Sequence, residues 1–341
     1  RAGHVPRSLV RRVPARMLRE RQAGLPPGTR GVDAVTVRLG TRASTLAMTQ
    51  SGTVARMLTA SSGLEVELVP LTTHGDVATG SLASLGGTGV FATALREALL
   101  AGECDLIVHS LKDLPNAAYP GLTLIAIPER EGQRDALCSR GGVTLAELPA
   151  GARVGTGSPR RAAQVLERRP DLVVADIRGN VDTRLRKVTD GEYDAIVLAE
   201  AGLRRIGRDG EIAELFDLHA WPTSAGQGAL AIEIRTADTT TELGRALRGL
   251  NDPAAAIPAL VERAVLAELE AGCAAPVGIS AIQNGESVEV AATVYRSDGS
   301  RSIRVEDAAP VAVVAEPAGR AALAERVVRV LRDRGVDELD D

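Results

Sequence analysis

Large aromatic rings are nearly absent: Phe 2, Tyr 3 and Trp 1 make up 2% of the 341 residues. That excludes rows of base-stacking platforms for single-stranded nucleic acid and leaves the core to Val, Ile, Leu and Ala. Lysine is almost as scarce. Lys112 and Lys187 are the only two among 40 Lys and Arg residues, so nearly every cation is an arginine, suited to forked recognition of carboxylate or phosphate. A GC-rich gene gives the same bias. The formal net charge of −4 argues further against a nucleic-acid partner. The three cysteines, Cys104, Cys138 and Cys273, form no metal-ligand pair and leave one over if two are bridged, which fits a reducing, cytoplasmic setting. No apolar run approaches the roughly 18 residues that a membrane-spanning helix needs.

At 45% hydrophobic and 25% charged, a chain of 341 residues is globular and too long for one core, so two or three domains are expected. Residues 1–34 stand apart. They carry eight arginines against Glu20 and Asp33, and Leu25-Pro26-Pro27-Gly28 stops any helix. With Ser8 the single serine, the stretch reads as a disordered extension rather than a transit peptide.

From Val35 the chain alternates regularly. Strands are expected at Val35–Leu39, Val66–Leu71 and Leu106–Val108, with helices at Thr45–Ala60 and Val90–Ala101 between them. A second unit begins near Arg134, with strands at Val154–Thr156, Val173–Ile177 and Ala195–Leu198 and helices at Pro159–Arg169, Val181–Asp190 and Ala201–Ile206. This alternation predicts two doubly wound parallel α/β sheets. Ala229–Arg235 reads as a strand able to return to the first sheet. Beyond Pro253, a helix through Ile257 to Leu269, hairpin turns at Asn284-Gly285 and Asp298-Gly299, and a helix over Ala318–Asp333 make a small α+β domain. The expected layout is residues 35–133 with 229–248, residues 134–228, and residues 251–341.

The chemistry-bearing residues gather at strand ends. Leu106-Ile107-Val108 stops at His109, Ser110, Lys112 and Asp113, an acid, a base and donors on the floor of a cleft. In such a place an ionised Asp113 can stabilise positive charge or pass protons; elsewhere an Asp before Leu-Pro is a turn residue. Gly40-Thr41-Arg42-Ala43-Ser44 joins a strand to a helix, so Ser44 can cap the helix while Arg42 faces the crevice. Gly86-Gly87-Thr88-Gly89 lacks both the Walker lysine and dinucleotide spacing and reads as a mobile loop.

Gly155-Thr156-Gly157-Ser158-Pro159-Arg160-Arg161 marks a helix start whose free amides attract anions. Two arginines there oppose the helix dipole, a conflict that an anionic ligand between them resolves. Arg178, Arg184, Arg204 and Arg205 recur after the next two strands, on the edge where open α/β sheets bind ligands, and imply a ligand with several carboxylates or phosphates. Cys138 reads as a small core hydrophobe. Cys273, among Ala271, Gly272, Ala274 and Ala275, reads as an accessible nucleophile or attachment point.

Val-His-Ser-Leu-Lys-Asp-Leu-Pro at 108–115, Gly-Thr-Gly-Ser-Pro-Arg-Arg at 155–161, Arg-Gly-Asn-Val-Asp-Thr-Arg at 178–184, Gly-Gln-Gly-Ala-Leu at 226–230 and Glu-Ala-Gly-Cys-Ala-Ala-Pro at 270–276 occur in this order. Together they resemble the porphobilinogen deaminase family, also called hydroxymethylbilane synthases, from about Val35 onward. The resemblance implies two domains of the periplasmic-binding-protein type II with the active cleft between them, and a third carrying the cofactor cysteine. It implies a dipyrromethane joined to Cys273 by a thioether, with no metal. On that primer, four molecules of porphobilinogen lose ammonia and are joined into a linear tetrapyrrole.

By the same resemblance Asp113 is catalytic. Ser110, Lys112, Asp113, Thr156, Ser158, Arg160, Arg161, Arg184 and Arg205 meet the cofactor, and Arg42, Ser44, Phe91, His109 and Arg178 meet substrate. A monomer in the cytoplasm, with no nucleic acid or membrane partner, is expected. The chain departs from the family pattern at Ser84 and Thr88, where many members carry lysine, at Thr45, where many carry proline, and at Gly157, where many carry a second serine. A solute-binding protein would share the two-lobed fold but needs an export signal and no attached thiol. A phosphate- or nucleotide-binding enzyme would use the Gly-Ser-Pro-Arg helix start but lacks a nucleotide motif.

Overall fold

The computed structural model describes residues 36–71, 89–270 and 276–339, and everything below lies within the unit Val35–Asp341. The Arg-rich stretch 1–34, the glycine-rich loop with Ser84 and Thr88, and Cys273 lie outside the described residues.

The first sheet is built from β1 (Val37–Arg42), β2 (Val66–Leu71), β3 (Leu106–Ser110), β4 (Leu122–Ala126) and β10 (Leu230–Arg235), in the order β2-β1-β3-β10-β4. β1 runs parallel to β2 and β3. Helix α1 (Thr45–Ser62) and helix α2 (Gly89–Leu100) connect the parallel strands. Leu106 and Ile107 are wholly buried and Val108 nearly so, because β3 lies inside the sheet with neighbours on both sides.

The second sheet contains β5 (Asp135–Ser139), β6 (Arg153–Gly155), β7 (Val173–Ala175), β8 (Ala195–Ala199) and β9 (Glu214–Leu215), ordered β7-β6-β8-β5-β9. Helices α3 (Pro159–Arg168), α4 (Val181–Thr189) and α5 (Glu200–Arg205) follow β6, β7 and β8. Both sheets therefore share one plan. Three parallel strands stand in the order second, first, third, and an antiparallel strand closes against the third.

The α/β class and the two doubly wound lobes match the expectation, but the sheets are mixed rather than parallel. β10 is antiparallel to β3 and β4, and β5 is antiparallel to β8. The reason lies in the connections. β10 enters the first sheet directly from the second lobe, without the crossover helix that a parallel neighbour requires. β4 and β5 are additional strands that the sequence pattern did not announce, and the chain passes between the lobes in the segment that joins them.

The C-terminal unit is an antiparallel meander of β11 (Val277–Asn284), β12 (Ser287–Tyr295) and β13 (Ser302–Pro310). It is covered by α7 (Pro253–Glu268) and α8 (Pro317–Asp333), after the short α6 (Glu242–Arg248). Val261, Val265, Ile279, Val290, Leu323 and Val327 fill its core. Asp252 caps α7, accepting from Ala254 N at 3.0 Å, and Pro253 takes the first position, where its missing N–H costs nothing.

Candidate active site

The carboxyl ends of β1, β3, β7 and β8 supply most of the polar residues singled out above. Arg42 ends β1, and Ser44 caps α1 by accepting from Ala47 N at 3.4 Å. β3 ends at His109 and Ser110 and turns into a short 3-10 segment, Leu111–Asp113. Leu111 is fully buried and pins this turn, while Lys112 is half-buried and Asp113 exposed. The turn is also clamped from the C-terminal unit. Arg263 of α7 donates to the carbonyls of Leu111 at 3.1 Å, Leu114 at 2.9 Å and Pro115 at 2.7 Å. Gln50 of α1 donates to Ser110 Oγ at 2.8 Å.

A cavity of about 450 Å³ is lined by Arg42, Ser44, Gln50 and Ser110, by Lys112 and Arg161, and by Arg184 and Arg205. Among the described residues Asp182 is the sole acid in its wall, and it pairs with Arg208 at 3.2 Å. A second cavity of about 320 Å³ shares Arg42, Gln50, Ser110 and Arg184 and adds His109 and Asp113. Asp113 thus lines the space adjoining the cation-lined cavity. Both volumes fall in the range of small-molecule sites.

The cations are desolvated. Burial, then the neighbouring Arg161, pushes the Lys112 ammonium down from 10.5 to about 8. Burial likewise lowers Arg184, with Arg161 and Arg178 adding to it, and lowers Arg205. Arg184 and Arg205 each donate to a backbone carbonyl, Gly179 O at 2.7 Å and Gly228 O at 2.5 Å. A peptide dipole compensates a buried guanidinium only in part, so such a wall attracts anions.

Arg160 and Arg161 resolve their conflict with the helix dipole differently from the sequence expectation. The anion between them is Asp135, a carboxylate of the chain itself, fully buried at the start of β5. Arg160 Nη1 approaches Asp135 Oδ2 at 2.7 Å and Arg161 Nη2 approaches Oδ1 at 2.6 Å. Trp221 Nε1 and Gln227 Nε2 donate to the same carboxylate at 2.9 and 2.8 Å. Burial alone would raise the Asp135 carboxyl, but the two guanidinium groups hold it far below the usual carboxylate range. Arg161 still reaches the cavity, whereas Arg160 lines neither one.

Thr156 and Ser158 also lie off both cavity walls. Thr156 Oγ1 accepts from Ser158 N at 3.2 Å and Ser158 caps α3, so both shape the helix start that carries Arg161. Arg178 is exposed and pairs with Asp176 at 2.8 Å. Phe91 lies in the first turn of α2.

Sequence reasoning missed Gln50, Asp135, Gln227, Glu233 and Arg263. Glu233 of β10 sits 3.1 Å from His109 Nε2 and 2.7 Å from Arg96. Burial opposes its charge, yet His109 and Arg96 bring it down to about 2. Only Gln227 had a local signal, its place between two glycines in a quoted motif. Cys104 and Cys138 are buried thiols, raised by burial to about 11 and about 12, and neither lines a site cavity.

Residues 37–243 match a family model described as porphobilinogen deaminase, dipyromethane cofactor binding domain, and residues 256–325 match porphobilinogen deaminase, C-terminal domain. A porphobilinogen deaminase of Leifsonia xyli subsp. xyli is 51% identical over 308 residues, covering 89% of this chain and 94% of the relative. One from Thermobifida fusca is 49% identical over 304 residues, covering 89% and 95%. Among solved structures, the methionine binding protein MetQ aligns at TM-score 0.42 and 13% identity, over 63% of this chain and 89% of that one.

Proposed function

The chain belongs to the porphobilinogen deaminase family, and from that premise we propose how its own residues carry the reaction. The enzyme is a deaminating transferase that joins four porphobilinogen molecules head to tail into hydroxymethylbilane, on a dipyrromethane primer that Cys273 holds as a thioether. The wall of the larger cavity suits such a group. Lys112, Arg161, Arg184 and Arg205 face a single acid there among the described residues, so acetate and propionate arms supply the missing negative charge, which an uncharged ligand would not. When bound, the primer supplies the free α-carbon to which each new unit is joined.

Asp113 accepts hydrogen bonds from pyrrole N–H groups, and its negative charge offsets the positive charge that develops on an incoming porphobilinogen as ammonia departs. A negative charge already in place beside the reacting centre stabilises the transition state as its positive charge develops. Arg42, Lys112, Arg161, Arg184 and Arg205 grip the carboxylate arms, Ser44 and Ser110 add hydroxyl contacts, and the exposed Arg178 meets arms added later. His109 contributes to the wall beside Asp113. Thr156 and Ser158 act by fixing the start of α3, and Arg160 by fixing Asp135.

The observation that carries this reading is the meeting of cations from both lobes in one cavity, with Asp113 in the wall of the space adjoining it. Intact mass of the purified protein tests it. A covalent adduct is expected on the wild type and none on Cys273→Ala; an unmodified and fully active wild type refutes it.

We also propose that the chain works as a monomer in the cytoplasm. Two buried free thiols suit a reducing compartment, and among the described residues the exposed large hydrophobics are the scattered Leu100, Val173 and Val313. No described helix is long and apolar enough to cross a membrane. Sedimentation at 35.5 kDa is expected, and a stable dimer at micromolar concentration contradicts it.

A further inference from the structure

Gln227, in the Gly-Gln-Gly sequence at 226–228, lines neither cavity. Gln227 is fully buried, on the segment that carries the chain back from the second lobe to β10. Every polar atom of its side chain is engaged. Nε2 donates to Gln133 O and to Asp135 Oδ1, both at 2.8 Å. Oε1 accepts from Lys112 Nζ at 3.2 Å and from Arg161 Nη2 at 3.3 Å.

The flanking glycines show how much the backbone gives up for this placement. Gly226 and Gly228 have φ of +77° and +86°, a region that side chains disfavour. A Cβ on Gly226 would lie 2.9 Å from Leu111 Cγ, and one on Gly228 would lie 2.4 Å from the carbonyl oxygen of Glu131. The Gln227 backbone is tied too, its carbonyl accepting from Arg130 Nε at 2.9 Å.

One neutral oxygen therefore holds two cations, one rooted in the first lobe and one in the second. Like charges this close repel, and a carbonyl dipole offsets only part of that repulsion. The charges around Lys112 are Asp113, Asp135, Arg160 and Arg161. Asp135 is already spent on the two arginines. A carboxylate in place of the Gln227 amide would neutralise the pair from within and compete with any incoming anion. The amide holds the cations together and leaves their charge available to the cavity that both line.

We propose that Gln227 is a positioning residue whose side-chain oxygen sets the spacing of Lys112 and Arg161, so that one carboxylate arm of the growing pyrrole chain is gripped from both lobes at once. This rests on the reaction assigned above and adds the element that registers the chain between the lobes.

The test uses the full-length enzyme as Gln227→Met, which removes the acceptor at similar length, and Gln227→Glu, which keeps an acceptor but adds charge. Both are expected to raise KM for porphobilinogen roughly tenfold, the worth of one charge-assisted hydrogen bond, with kcat changed much less. Because the chain has two lysines, ¹⁵N-lysine labelling gives two ammonium signals, with Lys187 as internal reference. The Lys112 midpoint should follow the order Met variant, wild type, Glu variant, from low to high. Unchanged KM together with an unchanged Lys112 midpoint overturns the proposal, as does a loss confined to kcat.

Should either variant fail to fold, the Lys112→Met and Arg161→Gln cycle decides. One shared carboxylate predicts a double-variant KM close to that of the weaker single, while independent, multiplying effects overturn the proposal. Intact mass separates this from failure of the underlying reading. An adduct on every variant with unaltered KM sinks only the role of Gln227, whereas absence of the adduct from wild type sinks the reaction itself.

Discussion

Replacing Asp135 by Asn keeps the shape of the side chain and removes its charge, which isolates the electrostatic part of the buried cluster. The carboxylate accepts from Arg160 Nη1, from Arg161 Nε and Nη2, from Trp221 Nε1 and from Gln227 Nε2, at 2.6 to 3.1 Å. An amide has one accepting oxygen and presents an NH2 to donors on the other side. Both arginines are nearly fully buried, so neither can recover its solvation by swinging out. Breaking a buried pair by removing one partner costs about 3–5 kcal/mol because the surviving charge is stranded. For a chain of this size that lowers the melting temperature by roughly 4–7 °C. Differential scanning fluorimetry of wild type and Asp135→Asn measures it. Adding Arg160→Met to the variant should return part of the loss, because a stranded cation is removed with it. A melting temperature within about 2 °C of wild type, or a further drop in the double variant, would refute the reasoning.

Asp113→Asn should leave melting unchanged and slow single-turnover condensation by about 10³-fold, the scale of one lost transition-state electrostatic contact; near-normal turnover makes Asp113 a turn residue. Arg184→Gln and Arg205→Gln should each raise KM by roughly tenfold, with stability little altered, since each gives up only a bond to a backbone carbonyl. Lys112 titrates near 8 in the folded protein against 10.5 ordinarily, so between those values the unfolded chain binds more protons and the stability owed to this residue rises with pH. Urea midpoints measured at pH 7 and pH 9.5 should show that rise in wild type and lose it in Lys112→Met.

Much of the architecture was legible because its signals are local. Ser44 and Ser158 are read as helix starts from their position at a strand-to-helix turn, and each side chain accepts from a first-turn amide. The apolar run Leu106–Val108 ends as a buried strand should. What escaped depends on partners distant in sequence. Asp135 looks like an ordinary residue before Ala-Leu-Cys until Arg160, Arg161 and Trp221 close around it, the last 86 positions away. The same holds for Glu233, whose bond to Arg96 spans 137 positions. β10 was recognisable as a strand, but its direction was not, since direction follows from which lobe the chain has just left. Arg160 and Arg161 were read as clasping an anionic ligand, whereas the anion between them is the chain's own Asp135. Nothing in their own neighbourhood says that the protein supplies it.

The placement of β10 also sets a timetable for biosynthesis. It lies between β3 and β4, yet it leaves the ribosome about 110 residues after β4, a delay of roughly 5–20 s at ordinary elongation rates. Until then the first lobe is a sheet with a missing central plank, its Leu106–Ser110 strand exposed along one edge to any strand that arrives first. A nascent chain halted after the second lobe therefore carries an unfinished first sheet, with β3 unpaired on the side that β10 later takes. The first sheet closes only when the whole two-lobed unit has been made, and a protease or chaperone meeting the chain earlier meets an open edge.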